Sequence, residues 1–225
     1  MPSSNLFAYR LPHLSRLVHF ATVEKKRRDW LKQQARQHTD WLLVDQDECW
    51  FSRFAQPTTQ TWYAADAPVY LLQREPKRGE KEQALACFGA VRHDTQQVLL
   101  SFSNGQPDSL QTWLFVMGLL AVARQENKRV LVIIWDNASW HKSKDIRRWI
   151  RAYNHAAKRC DEPRLIVHGL PTKSPWLNPI EPRWRHAKRA VCQPEGDLTA
   201  TELRKRLCHY FETQPLLNVF KIDDL

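Results

Sequence analysis

Residues 131–141 read LVIIWDNASWH, an apolar run that stops abruptly at Asp136 and Asn137 and is followed by His141. A short run of large aliphatic residues predicts a buried strand, here residues 130–135. An ionised carboxylate at the tip of such a strand is costly unless a partner neutralises it. The position of Asp136 therefore predicts a functional site, although an Asp-Asn pair is also typical of a simple turn or helix cap.

The segments around this strand predict an α/β fold, in which a mixed sheet carries helices on both faces. In chain order the patterns predict a basic helix over 24–38, a strand over 41–51, a short strand near 68–73, a hairpin over 84–103 that turns at 93–96, a helix capped by Asp108, a helix around 143–158, a strand over 164–171, a helix beginning at Pro179, and a last helix that opens with a Thr199–Glu202 capping box. Ligands of such sheets gather at the carboxyl ends of adjacent strands, where Asp136 lies.

Three of the predicted helices carry apolar residues at helical spacing, and these stripes are expected to face the core. They consist of Leu110, Trp113, Leu114, Met117, Leu120 and Ala121 after Asp108, of Ile146, Trp149, Ile150, Tyr153 and Ala157 in the next helix, and of Leu203, Leu207 and Phe211 in the last.

The chain is strongly basic, with 34 Lys and Arg against 24 Asp and Glu, a formal net charge of +10 and a pI near 9.6. Its basic residues cluster at 25–28, 147–148, 183–189 and 204–206. One charge run is usually a solvated face, but together they predict a polyanionic partner, with nucleic acid ahead of a membrane surface. The sequence has neither a run of roughly 20 apolar residues that could span a membrane nor a CxxC pair that would indicate a zinc site.

Two acids distant in sequence are candidate partners for Asp136. Asp47 lies in the strand predicted over 41–51, where Asp45 on the same face competes for the role. Glu181 begins the helix after a proline-rich connection, although the helix dipole alone favours an acid there. Converging carboxylates would form a hard-oxygen site suited to Mg²⁺ or Mn²⁺, and a pair of such ions promotes in-line displacement at a phosphodiester.

The aromatic and histidine side chains nearby have two interpretations each. Trp140 and Trp176 flank the predicted site and could stack on bases, although most tryptophans of a folded domain belong to its core. His141 and His168 could serve the site, although histidines at such positions are more often structural.

Three strings closely resemble the catalytic core of mariner-type DDE transposases, in particular the bacterial insertion-sequence branch called the six-thirty group. They are QDECWFSRFAQP at 46–57, VIIWDNASWHKS at 132–143 and LPTKSPWLNPIEPRWRHAKRAV at 170–191. The third string is the most specific, because chance rarely produces an SPxLNPIE segment that enters a WxxxKR helix. The resemblance covers about residues 40–195 and implies a ribonuclease H-like mixed sheet of about five strands.

The resemblance also implies the site and its chemistry. The family's metal-binding triad matches Asp47, Asp136 and Glu181, which selects Asp47 over Asp45, and it implies two divalent ions, Mg²⁺ or Mn²⁺. The implied reaction is hydrolytic cleavage of DNA at transposon ends, followed by attack of the freed 3′ hydroxyl on target DNA. The residues expected to support the site are Glu48, Asn137, His141 and Asn178, and those expected to contact DNA are Lys173, Arg183, Arg185, Lys188 and Arg189.

The expected partners are therefore transposon ends and target DNA, bound by a homodimer in the bacterial cytoplasm at the nucleoid, with neither a membrane nor a small-molecule cofactor. Two alternatives stay open: a non-catalytic DNA-binding remnant, and a structure-selective nuclease of the same fold. The presence of all three acids favours a catalytic protein over the remnant. The sequence motif SPWLNPIE favours a transposase over the nuclease.

The chain departs from the family at its amino end. Relatives carry an amino-terminal helix-turn-helix region that recognises the inverted repeats, whereas here the first acid of the triad is already Asp47. We expect residues 1–39 to be a basic helical segment, 40–195 the catalytic domain and 196–225 a carboxy-terminal helix and tail packed on the core. A truncated copy, the downstream frame of a split gene and a catalytic fragment would each fit. The interval between Asp136 and Glu181 also suggests a modest insertion around 154–164.

Overall fold

A computed structural model describes residues 12–52, 84–104, 106–171, 174–191 and 198–216. The strands are β1 Trp41–Ser52, β2 Ala84–Arg92, β3 Val98–Asn104, β4 Val130–Trp135 and β5 Arg164–Gly169. The helices are α1 Pro12–Gln37, α2 Ser109–Gln125, α3 Lys144–Cys160, α4 Ile180–Val191 and α5 Ala200–Tyr210, and a 3₁₀ turn spans Pro175–Leu177. The element order is the predicted one, and the strand predicted near 68–73 lies outside the described residues.

The described strands form a five-stranded mixed sheet in the order β3-β2-β1-β4-β5. β2 runs antiparallel to both of its neighbours, β1 and β3, and β2 and β3 form the predicted hairpin. β4 runs parallel to both of its neighbours, β1 and β5. β1 therefore joins an antiparallel half to a parallel half, and its carboxyl-terminal part extends beyond its pairing with β4.

Helices cover both faces of the sheet because side chains alternate along each strand. On one face α2 and α3 pack on the sheet through a cluster that includes Leu42, Phe88, Phe115, Ile133 and Ile146. On the other face α4 and α5 pack through Phe51, Leu85, Trp184, Leu203 and Leu207. α1 covers the rest of this second face, where Leu31 packs with Leu43, Val132 and Ile134. The predicted two-sided architecture is confirmed.

The predicted helix starts agree with the caps in the structure. The Asp108 carboxylate accepts a hydrogen bond from Gln111 N at 2.7 Å, and Ser143 Oγ accepts one from Ile146 N at 3.1 Å. Thr199 and Glu202 form the predicted reciprocal capping box at the start of α5.

The stripe predicted for α2 is only partly right, because Leu120 is buried and Trp113 and Met117 pack against the core, but most of the buried positions are others. Leu110 is 52% exposed, and the buried residues are Thr112, Phe115, Val116, Gly118, Leu119, Leu120 and Ala123. The cause is that α2 is apolar on almost every side, so spacing alone cannot identify the face on the sheet. Trp113, from the predicted stripe, packs instead on α3, with ring centroids 5.9 Å from Trp149 and 6.3 Å from Tyr153.

Other predicted boundaries shift by whole turns. α1 begins at Pro12, a residue suited to a first helical turn, rather than near residue 24. Residues 154–164, where an insertion was expected, form the last turns of α3 and its left-handed exit at Asp161 into β5. In the described part of the chain, no helix is both long and apolar enough to cross a membrane.

Candidate active site

The parallel pairing of β1 and β4 carries two of the predicted acids to the same edge of the sheet. The register aligns Asp45 with Ile134, so two residues further along each chain Asp47 and Asp136 reach neighbouring positions. Glu181 is the second residue of α4, which packs on the face of the sheet that Asp47 shares. All three carboxylates line a cavity of about 510 Å³.

Gly89 explains how α4 comes so close to Asp47. Gly89 is the residue of β2 that pairs with Asp47. A Cβ atom at Gly89 would lie 2.5 Å from Cη2 of Trp184 and 2.8 Å from Cδ1 of Ile180, both in α4. The absence of a side chain therefore lets α4 lie directly against the sheet, which places Glu181 over Asp47. Sequence analysis missed this residue, although an isolated glycine inside a strand is a signal of close packing.

Asn178 fixes the start of α4 relative to β1. It is 2% exposed, and its Nδ2 donates to the backbone oxygen of Gln46 at 3.1 Å, next to Asp47. Its Oδ1 accepts from Ile180 N at 3.4 Å. Asn178 thus connects the residue before one acid to the helix that carries another, which fits the supporting role predicted for it.

The structure separates Asp47 from Asp45, which share a face of β1. Asp45 is fully buried, is hydrogen-bonded to His93 and lies 3.6 Å from Lys32 Nζ. Asp45 therefore has its own partners, which lie away from the tip of β4. Asp47 instead faces Glu181 and Asp136 across the cavity, as the family resemblance implied.

The surroundings of Asp47 are negatively charged, because other carboxylates lie close to it. The residue is 8% exposed, and burial together with the charges of Glu181, Glu48 and Asp136 raises its pKa to about 8. A carboxylate in this position is stabilised by any cation that enters the cavity.

Asp47→Asn is expected to stabilise the metal-free protein at neutral and alkaline pH. The folded-state pKa of about 8 lies above the ordinary value of 3.8, so ionisation of Asp47 lowers stability as pH rises between these values. The free energy of unfolding of the wild type should fall by on the order of a few kcal/mol across this pH interval. The Asp47→Asn variant should avoid this loss, because asparagine cannot ionise. Thermal melts in EDTA from pH 4 to pH 9 measure the difference.

The matched control for this measurement is Asp145→Asn, which removes an exposed acid at the start of α3. Its melting temperature should follow the wild type at every pH. If the melting temperature of Asp47→Asn also changes with pH in parallel with that of the wild type, Asp47 does not lie close to the other acids.

His141 connects Asp136 to Glu48. Its Nδ1 lies 2.9 Å from Asp136 Oδ1, its Nε2 lies 3.0 Å from Glu48 Oε1, and its ring stacks on Trp135. Burial opposes a charged imidazole, but the hydrogen bonds to Asp136 and Glu48 outweigh it and raise the His141 pKa to about 9. Below that pH both ring nitrogens donate, so His141 stabilises the charged form of Asp136 and holds the Asp136 and Glu48 side chains in fixed orientations.

The same contacts act on Asp136. Burial would raise its pKa, but the hydrogen bonds from His141 and from Ala138 N, the latter at 2.9 Å, outweigh burial and lower the pKa. The tip of β4 therefore presents a carboxylate whose charged form is favoured, and half of its surface remains exposed to the cavity.

Asn137 ties the tip of β4 to the end of β5, because its Nδ2 donates to the backbone oxygen of Leu170. It also lines an adjoining cavity of about 300 Å³, together with Ser174 and Asn178. Asp136 and Glu181 line this cavity as well as the larger one. The carboxylates of Asp136 and Glu181 are therefore accessible from both cavities.

The structure divides the basic residues predicted to contact DNA. Arg185 and Lys188 line the acid cavity, since they follow Glu181 at helical spacing on α4. Arg189 is exposed on the same helix. Arg183 lies on the opposite side of α4, where it donates to the backbone oxygen and Oε1 of Gln96 at 2.8 and 3.0 Å. Lys173 lies outside the described residues.

Divalent cations fit the donor set of this cavity, although its carboxylates do not form a closed ligand cluster. Within the described residues, no group of three or more His, Cys, Asp or Glu side chains is arranged closely enough to hold a metal ion. The carboxylates of Asp47, Asp136 and Glu181 nevertheless line one cavity, and carboxylate oxygens are the ligands that Mg²⁺ and Mn²⁺ prefer.

Comparison with known proteins identifies relatives at both the sequence and the fold level. Residues 43–199 match the model of the family described as DDE superfamily endonuclease. A 125-residue stretch is 24% identical to the insertion element IS630 uncharacterized 39 kDa protein of Shigella sonnei, covering 56% of this chain and 33% of that protein.

Solved structures of Mos1 transposase share the fold. The Mos1 mariner paired end complex with Mn matches with a TM-score of 0.59 at 14% identity, over 97% of this chain and 61% of that one. The Mos1 strand transfer complex matches with a TM-score of 0.57 at 14% identity, over 95% and 58%. The chain thus spans about three-fifths of the Mos1 chains, and its mixed sheet is ribonuclease H-like, as predicted. Because the family model covers well over half of its residues, the chain belongs to the DDE superfamily endonucleases.

Proposed function

We propose that this chain is the catalytic domain of a DNA transposase, which cleaves phosphodiester bonds at transposon ends and transfers the freed 3′ hydroxyl to target DNA. The observation that carries the proposal is the cavity lined jointly by Asp47, Asp136 and Glu181, with Arg185 and Lys188 on its wall. Carboxylates suit divalent metal ions, and the basic side chains suit the phosphates of the substrate.

The relatives support the same proposal. One relative is an insertion-element protein. The similar structures are paired-end and strand-transfer complexes of a transposase, one of them with Mn. By this likeness we also propose that the chain acts as a homodimer on DNA.

The proposed reaction needs no energy source beyond the DNA itself. In the hydrolytic step water attacks phosphorus, the bond from phosphorus to the 3′ oxygen breaks, and that oxygen takes up a proton. In the transfer step the new 3′ hydroxyl attacks a target phosphodiester, so one phosphorus–oxygen bond forms as another breaks. Two Mg²⁺ or Mn²⁺ ions would supply an activated oxygen nucleophile and neutralise the developing charge.

Each side chain has a distinct part in this proposal. Asp47, Asp136 and Glu181 would hold the ions, and His141 would keep Asp136 ionised and oriented from the opposite side. Lys188 and Arg185 would fix the DNA backbone beside the acids.

A nicking assay tests the proposal and separates it from the alternatives. Supercoiled plasmid should be nicked in Mg²⁺ or Mn²⁺ and left intact in EDTA. A DNA-binding remnant would bind the plasmid without cutting it in either metal. A structure-selective nuclease would cut junctions or RNA–DNA hybrids and leave linear duplexes that carry transposon ends uncut.

Lys188→Ala combined with Arg189→Ala is expected to weaken DNA binding and reduce its salt dependence. Each phosphate contact that is lost should lower the slope of log affinity against log salt by about 0.9. Fluorescence anisotropy with a labelled duplex between low and moderate salt measures this slope.

Lys158→Ala with Arg159→Ala is the matched control for this measurement. These residues are an exposed Lys–Arg pair at the end of α3, on the other side of the sheet, so the change in net charge is the same. The control pair should leave the slope close to that of the wild type. Equal slopes for the two double variants would exclude a specific DNA contact by Lys188 and Arg189.

A further inference from the structure

A second, basic cavity lies at the amino ends of β1 and β4, at the opposite end of these strands from the acids. Its volume is about 450 Å³. The lining side chains that carry the argument are Lys32 and Arg36 of α1, His38 and Trp41 before and at the start of β1, His93 of the hairpin turn, and Lys128 before β4. The cavity is therefore built from three separate chain segments, 32–43, 93–96 and Lys128, and no residue of the acid triad belongs to it.

The cavity has an excess of positive charge. Lys32 is balanced by the buried Asp45 beneath it, and the lining residue Asp94 is already paired with Arg92 at 2.7 Å. Among the described residues, Arg36 and Lys128 have no carboxylate within ion-pair distance. Two uncompensated cations thus face one concave surface, whereas each lining histidine has a carboxylate nearby, Asp40 at 3.9 Å for His38 and Asp45 for His93.

Several of these side chains are held in place by the fold. Lys128 Nζ donates to the backbone oxygen of Thr39 at 2.8 Å, which leaves its other donors available. His93 is hydrogen-bonded to Asp45 through Nε2. The ring of the exposed His38 stacks on Trp41, with ring centroids 5.4 Å apart. Lys128 and His93 are therefore held in position before a ligand binds, which reduces the entropy lost on binding.

We propose that this cavity binds a backbone phosphate of the DNA whose scissile bond lies at the acids. Planar Arg and flexible Lys donors are the groups that recognise phosphate in proteins. Trp41 lines the basic cavity at the start of β1 and pairs with Val130, two residues after Lys128, whereas Asp47 lines the acid cavity six residues further along the same face of β1. At about 3.3 Å per residue this separation is roughly 20 Å, which is about six base-pair steps along a duplex. One duplex can therefore reach both cavities.

This inference rests on the proposed function, and its test uses binding rather than cleavage. The full chain carrying Arg36→Ala and Lys128→Met is titrated with a labelled 30-base-pair duplex in EDTA across a series of salt concentrations. Loss of one phosphate held by both cations should lower the salt slope by about 0.9 and the affinity at least several-fold. Arg36→Glu, which leaves the Lys128 contact to Thr39 intact, should weaken binding further.

The matched control is Arg148→Ala with Arg151→Ala, which removes two exposed cations from α3 on the opposite face of the sheet. It should leave the salt slope within a few tenths of the wild type. If the cavity variant and the control variant give the same slope, the proposal is overturned.

A second arm separates DNA from a free anion. Thermal melts with inorganic phosphate report whether the cavity takes the isolated group. If phosphate stabilises the wild type but not the cavity variant while the DNA slopes are equal, the ligand is a free anion and the DNA assignment fails. Plasmid nicking is measured on the wild type and on the Arg148→Ala, Arg151→Ala control, which should nick at the same rate. A wild-type chain that nicks nothing refutes the proposed function, whereas the salt slopes of binding still test the basic cavity.

Discussion

Asp136→Asn is expected to lower the rate of metal-dependent plasmid nicking by at least about a thousandfold, because a charged ligand is lost where the reaction develops most negative charge. The geometry gives two reasons for the size of this effect. Asp136 lines both cavities at the tip of β4, and its carboxylate is the group that His141 orients. An asparagine keeps the shape of the side chain but removes the charge.

The measurement is the initial rate of nicking in Mn²⁺, with DNA affinity determined in parallel. The affinity should change less than threefold, since the proposed function assigns the DNA phosphates to basic residues rather than to the acids. Asp145→Asn, an exposed acid nine residues further along the chain, is the matched control and should nick normally. Wild-type rates from Asp136→Asn would remove the triad from the mechanism.

Gly89→Ala is expected to have the largest effect on stability, at about 2–3 kcal/mol, or roughly 5–10 °C in melting temperature for a chain of this size. The new methyl group would overlap Trp184 and Ile180, which are both buried in the interface between α4 and the sheet. Neither side chain has room to turn away, so α4 must move outward, and Glu181 moves with it. The variant should therefore also nick plasmid more slowly at temperatures where it remains folded.

Gly118→Ala is the matched control for this prediction. A Cβ atom there would lie 3.3 Å from Cδ1 of the half-buried Leu216, a flexible contact, and alanine adds helix propensity within α2 worth about 1 kcal/mol. The control should melt at or slightly above the wild-type temperature. If the two glycine variants melt alike, α4 does not pack as closely on β2 as the structure describes.

Local patterns were sufficient to predict the strands, the hairpin and most helix starts, because each depends on nearby residues. Alternation and apolar runs identified β1 and β4, and the caps at Asp108, Ser143 and Thr199 need only the three residues that follow them. The buried face of α2 could not be predicted, since the spacing of apolar residues does not distinguish one face of a helix that is apolar on all sides.

The sequence allowed the acids of the candidate site to be named, but not the contacts that position them. The choice of Asp47 over Asp45 came from the family resemblance, and its physical reason, the pairing of Asp45 with Lys32 and His93, requires the tertiary structure. The bridge from Glu48 through His141 to Asp136 joins residues about ninety positions apart. No local pattern encodes such a contact, nor the outward turn of Arg183 toward Gln96.

The chain order of the sheet has a consequence for synthesis on the ribosome. The acid cavity takes walls from β1, from the tip of β4 and from α4, which ends at Val191. Proteins emerge amino end first and domains fold as units, so a nascent polypeptide has Asp47 and Asp136 in hand long before Glu181 is made. Translation that stalls before α4 therefore releases a fragment that lacks Glu181 and, with it, one wall of the acid cavity.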